Sequence, residues 1–85
     1  MRGDVMKLQI TVIPRAGILD PQGKAIAAAL DRLGYTAVHN VRAGKVFRVE
    51  IDAADPQAAR EAGAAMAQRL LANPVIEDFE VEVVD

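Results

Sequence analysis

Val5-Met6-Lys7-Leu8-Gln9-Ile10-Thr11-Val12-Ile13 alternates apolar and polar side chains. Met6, Leu8, Ile10 and Val12 take one side, and Lys7, Gln9 and Thr11 the other, which predicts a strand buried on one face. Pro14 stops it, and Gly17 frees the loop after it. Asp20-Pro21 then opens a helix, the aspartate as cap and the proline at the first helical position. Ile26, Leu30 and Leu33 recur at helical spacing as its buried stripe, Arg32 suits the negative end of its dipole, and Gly34 is a left-handed stop. Tyr35 is expected to pack over that end.

Working outward, Phe47, Val49 and Ile51 alternate with Arg48, Glu50 and Asp52 in a clear second strand. Its expected hairpin partner, Thr36 to Arg42, is less regular. Val38 and Val41 have opposite parity there, which predicts a bulge or an edge strand, with Ala43-Gly44 as the turn. Asp55-Pro56 repeats the helix-start device, and Ala59, Ala62, Gly63, Met66 and Leu70 line one face of a helix that Asn73-Pro74 ends. Phe79, Val81 and Val83 mark a last strand. The order strand, helix, strand, strand, helix, strand predicts an α+β, ferredoxin-like βαββαβ domain over residues 1–85. It has a four-stranded antiparallel sheet, the first strand central, and both helices on one face. The other face carries Lys7, Gln9, Thr11, Arg48, Glu50, Glu80 and Glu82, with Lys7 placed to pair with Glu50 or Glu82.

Composition narrows the function. Apolar residues make up 52% of the 85 and aromatics only 4%. The core is therefore built from small aliphatic side chains that each bury little area, and self-association is one way to gain more. A net charge of −2 gives no field for nucleic acid or an anionic membrane. There is no cysteine, so disulfides and thiolate catalysis are excluded. No apolar run approaches the length of a membrane span, and no signal-peptide core follows Met1, so a soluble cytoplasmic protein is expected.

Three junction segments stand out: Ile18-Leu19-Asp20-Pro21-Gln22-Gly23, Val41-Arg42-Ala43-Gly44-Lys45, and Leu70-Leu71-Ala72-Asn73-Pro74-Val75-Ile76-Glu77-Asp78. Each has a plain structural reading. The first is a capped helix start, whose free amides also suit an anion. Gly23 sits badly in that reading, because a glycine in a helix costs about 1 kcal/mol against alanine. A close approach of some other group to the backbone is expected there. Arg42, Gly44 and Lys45 read as a basic turn or as a contact for an acidic partner. Glu77 and Asp78 resemble a carboxylate pair, but no His, Lys or metal ligand set stands beside them, so solvated loop acids are expected. His39 has no evident partner for a triad or a metal. Phe47 and Phe79 fall on the core parity and form no stacking platform for bases. No catalytic residue, metal ligand or cofactor site is expected in this chain.

Taken together and in order, the three segments resemble the PurS family, the small subunit of bacterial and archaeal phosphoribosylformylglycinamidine synthase. The likeness runs from about Val5 to the C-terminus. Pro74, where the family commonly has Thr, and the alanine-rich second helix are departures. The resemblance implies a ferredoxin-like, non-catalytic protein, a homodimer or higher oligomer. It implies bridging between a glutaminase subunit and a large synthetase subunit that uses ATP and Mg, and help in passing ammonia between them in purine biosynthesis. Asp20, Gln22, Gly23, Arg42, Lys45, Asn73, Glu77 and Asp78 are then the expected partner-binding residues. Three rivals share the fold. An enzyme of acylphosphatase type has Arg15 and Asn40 to draw on but no glycine-rich phosphate loop. A regulatory module binding a small metabolite at a dimer interface is the main alternative. An RNA-binding module is opposed by the negative charge and the buried aromatics.

Overall fold

The alternating segment forms β1, Asp4–Pro14, the middle strand of an antiparallel sheet in the computed structural model, which describes residues 4–15 and 20–84. On one side it pairs with β2, Lys45–Ala53, and on the other with β3, Glu77–Val84. Leu8 faces Val49 and Val83 across the strands, and Ile10 faces Phe47 and Val81. Leu8, Ile10 and Val12 are fully buried, as the parity of the sequence requires. On the opposite face Lys7 does stand beside Glu50, while Glu82 lies opposite Gln9.

The second Asp-Pro pair starts α2, Pro56–Met66, with the Asp55 carboxylate accepting from the Ala58 amide at 2.8 Å. Ala59, Gly63 and Ala67 are buried at successive turns of this helix. Small residues at that spacing let the backbone lie low on the sheet. A Cβ at Gly63 would stand 2.9 Å from Val81 Cγ1 and 3.0 Å from Leu8 Cδ1, so the contact leaves no room for a side chain. Leu70, expected on the same face, is instead 82% exposed. The reason is a π-helical turn over Ala67–Leu71, closed by the Ala72 amide donating to the Ala67 carbonyl at 2.9 Å. The wider turn shifts the helical phase at its C-terminal end. Leu71 packs against the core in place of Leu70, and Ala72 is buried beside it.

The first half departs further from expectation. α1, Pro21–Arg32, forms as read, and Gly34 ends it with φ +101°. The Gly34 amide donates to the Asp31 carbonyl at 3.0 Å and the Tyr35 amide to the Leu30 carbonyl at 3.0 Å. Yet α1 makes no contact with the sheet or α2 comparable to the contacts of α2. Its stripe is not buried: Leu33 is 72% exposed, Ile26 is exposed too, and Tyr35, expected to pack over the helix end, is 61% exposed. The expected fourth strand is also missing. Residues 36–42 form no strand and 43–44 no hairpin turn, so among the described residues the sheet has three strands, β2-β1-β3.

Overall dimensions say where α1 has gone. The radius of gyration is 16.5 Å, against about 12 Å for a compact chain of this length. β1 has 11 residues and α1 has 12; at about 3.3 Å and 1.5 Å per residue they sum to roughly 54 Å when laid end to end. The longest extent of the molecule is 56 Å. α1 therefore projects from the end of the sheet as an arm, with residues 36–42 running back along it.

Candidate functional site

β1 leaves the sheet at the same end where β2 and β3 enter it. That topology brings parts of all three junction segments together around Pro14 and Arg15. Ile18 and Leu19, part of the first segment, lie outside the described residues, as does Gly17.

Asp20 ties the base of the arm. One carboxylate oxygen accepts from the Gly23 amide at 3.0 Å, the ordinary cap, and the other accepts from the Ala43 amide at 2.9 Å. These backbone bonds, Ala43's first and then Gly23's, hold the Asp20 carboxyl below its ordinary pKa of 3.8 by favouring the charged form. Gly23 is buried, and a Cβ there would collide with the Val41 carbonyl. The close approach expected from the cost of a first-turn glycine is thus the arm's return segment pressed on the helix start. Gly44 serves similarly, lying against the Val12 carbonyl.

A second knot lies across the same end. Asn73 accepts at its side-chain oxygen from the Val75 amide at 3.1 Å, and its carbonyl accepts from the Glu77 amide at 2.8 Å. The Glu77 carboxylate answers by accepting from the Asn73 amide at 2.7 Å. Asn73 therefore shapes a turn of its own after α2 has ended. Arg15 pins this turn to β1. Its guanidinium donates to the Pro74 carbonyl at 2.6 Å and pairs with Asp78 at 3.1 Å, and its amide donates to the Ile76 carbonyl at 2.9 Å. This places Arg15 at the centre of the site. The sequence offered only a basic residue after a strand-ending proline, and its contacts are to residues some sixty positions away, so no local pattern marks them.

Six of the eight expected partner-binding residues thus hold the end of the sheet together: Asp20, Gly23, Asn73, Glu77, Asp78 and Arg42, whose guanidinium donates to the Pro14 carbonyl at 3.2 Å. Gln22 and Lys45 are exposed and have no side-chain hydrogen bond or ion pair among the described residues. Beside them the chain exposes Val46, Leu70, Val75 and Ile76. The end is a braced polar frame rimmed with apolar side chains, a surface suited to being covered. Among the described residues no three His, Asp or Glu side chains gather as metal ligands. No helix among them is long and apolar enough to cross a membrane.

The profile of the PurS family, described as phosphoribosylformylglycinamidine (FGAM) synthase, matches residues 7–85. The chain belongs to the PurS family. It is 53% identical over 72 residues to the phosphoribosylformylglycinamidine synthase subunit PurS of Mycobacterium leprae, covering 85% of this chain and 87% of that protein. Among solved structures it resembles the Bacillus subtilis PurS in its C2 crystal form, with a TM-score of 0.82, 36% identity, and 94% and 99% of the two chains covered. It also resembles a chain in the structure of PurLQS from Thermotoga maritima, with a TM-score of 0.85, 31% identity, and 95% and 99% covered.

Proposed function

We propose that this PurS chain is the small, non-catalytic subunit of a cytoplasmic phosphoribosylformylglycinamidine synthase, acting in purine biosynthesis. It joins a glutaminase subunit to a large synthetase subunit that consumes ATP with Mg, and it helps ammonia pass between them without loss to water. The observation that carries this reading is the likeness, over nearly the whole of both chains, to a chain found in a PurLQS assembly. The site supports it. Internal hydrogen bonds and an ion pair brace the sheet end, while Gln22, Lys45, Val46, Val75 and Ile76 stay exposed. Such a surface excludes water and fixes positions. The alternative, a metabolite-binding regulatory module, has no observation in its favour.

Reconstitution tests the proposal. Mixed with the two large subunits, the chain should be required for glutamine-dependent amidine formation, and alone it should show neither ATPase nor glutaminase activity. Gln22→Ala with Lys45→Ala should leave the melting temperature of the chain within a degree or two, since exposed substitutions typically change stability by less than about 0.5 kcal/mol. The same pair should weaken assembly with the large subunits. Synthesis that runs equally well without the chain would end the proposal, and unchanged assembly in the double variant would move the contact away from Gln22 and Lys45.

A further inference from the structure

The turn between α2 and β3 satisfies nearly all of its polar groups internally. The Asn73 amide donates to the Glu77 carboxylate, and the Asn73 carbonyl accepts from the Ile76 amide at 3.1 Å and the Glu77 amide at 2.8 Å. Pro74 has no amide hydrogen to satisfy. The Val75 amide donates to the Asn73 side chain, and the Pro74 and Ile76 carbonyls both accept from Arg15. From Asn73 to Ile76, the Val75 carbonyl is the one backbone polar group without a partner among the described residues. The charges are matched in the same way, Asp78 to Arg15 and Glu77 to the Asn73 amide.

A turn in open solvent has no need of this, because water satisfies the same groups without ordering the chain. A turn covered by an apolar surface does need it, since a buried donor or acceptor left unpaired is strongly destabilising. What projects from this turn is apolar: Val75 is 76% exposed and Ile76 39%. Valine suits an anchor, because its branched side chain has little rotamer freedom to lose on burial. Arg15 brackets it. The guanidinium holds the carbonyl before Val75 and the Arg15 amide holds the carbonyl after it, so the residue is fixed before any partner arrives.

We infer that Val75, with Ile76 beside it, is an anchor that enters an apolar pocket on one of the large subunits, and that Arg15 is the positioning residue that presents it. Asn73, Glu77 and Asp78 then serve the contact from behind it, by shaping the turn. The occupant is a different chain and not a second copy. Two hollows on this chain's own described surface are walled by Lys7, Arg48 and Glu50, and by Thr11, Asp78 and Glu80. An apolar knuckle pressed into either would strip water from charged groups and offer them no partner. This inference rests on the proposed function and says which residues of the sheet end make the contact.

Val75 stands in the open in the isolated chain, so replacing it leaves the fold intact. Val75→Ala should weaken binding of the full-length chain to the two large subunits by about tenfold, the worth of two buried methyl groups. Val75→Asp should weaken it further, both read by titration calorimetry. Arg15→Met should weaken it too, and that loss should shrink in the Val75→Ala background, because a bracket matters only for the side chain it holds. Arg15→Lys, which keeps a charge opposite Asp78, should recover part of the loss. Equal losses from Arg15→Met in both backgrounds would overturn the positioning role. Binding of Val75→Asp at wild-type strength would overturn the anchor. A changed oligomeric state of isolated Val75→Asp in sedimentation would overturn it as well, since the occupant would then be a second copy. If synthesis needs the wild-type chain while Val75→Asp binds normally, the proposed function stands and this inference alone falls.

Discussion

α1 and α2 begin with the same device, an aspartate cap followed by proline, and end in opposite circumstances. α2 lies flat on the sheet through Ala59, Gly63 and Ala67. α1 stands off the end of it with leucine and isoleucine in the open. The contrast runs against residue size, since the helix with the smaller residues on its apolar face is the one that is seated. Small side chains let α2 reach the strands, and its connections on both sides return to the sheet. α1 is tied at its base to its own return segment, and that tie decides where it points. A capped amphipathic helix specifies a face to bury but not the surface that buries it.

The largest expected effect lies under the seated helix. Ile10→Ala should destabilise the chain by about 4 kcal/mol, the usual range for an isoleucine emptied from a packed core. For a domain of this size that lowers the melting temperature by roughly 20 °C. The matched change in the arm, Ile26→Ala, should cost under about 0.5 kcal/mol in a sample dilute enough to be monomeric. Thermal and urea unfolding followed by circular dichroism measure both. A comparable loss at Ile26 in the monomer would mean that α1 is seated on its own sheet, and the contrast would fail.

This contrast also marks how far the sequence could be read. The alternation of β1, its central place and the small-residue face of α2 were legible because each rests on local periodicity, and burial follows parity. The need for a close approach at Gly23 was legible too, from the cost of a glycine where alanine would serve. Three things were not. The missing fourth strand depends on whether Ala43-Gly44 reverses or runs straight, which the identity of those two residues does not decide. The π-helical turn after Met66 shifts Leu70 outward with no mark in the pattern, since Leu70 and Leu71 are equally apolar. Arg15 reaches Pro74 and Asp78, a contact between distant parts of the chain that only the assembled sheet creates.

Gly23→Ala sharpens the comparison at the arm's base. By helix propensity alone it should stabilise α1 by up to about 1 kcal/mol. The new Cβ would instead meet the Val41 carbonyl and the Asp20 carboxylate. Backbone cannot swing aside as a side-chain tip can, so a net loss of about 2 kcal/mol is expected, within the range for overpacking. Parting helix from return segment should also increase hydrogen exchange at the Ala43 amide. A neutral or stabilising result would show that the arm is not closed at this point.

The smallest effect separates the two caps. Asp55→Ala removes one side-chain bond to the start of α2, worth about 1 kcal/mol. Asp20→Ala removes the equivalent bond to Gly23 and also the bond to Ala43 that closes the arm, so it should lower the melting temperature by more than Asp55→Ala does. The pH dependence distinguishes the clasp from a simple cap. The folded chain holds the Asp20 carboxyl below its ordinary 3.8, because Ala43 and Gly23 donate to the ionised form. A depressed carboxyl pKa contributes its full stabilisation above the unfolded value and loses it as the pH falls through the folded one. The gap in melting temperature between wild type and Asp20→Asn should accordingly be level well above pH 3.8 and should narrow below it. A gap of the same size at every pH would mean that the Asp20 charge adds nothing to the clasp. The two helix starts would then differ only in the number of hydrogen bonds, and the projection of α1 would have to be explained without them.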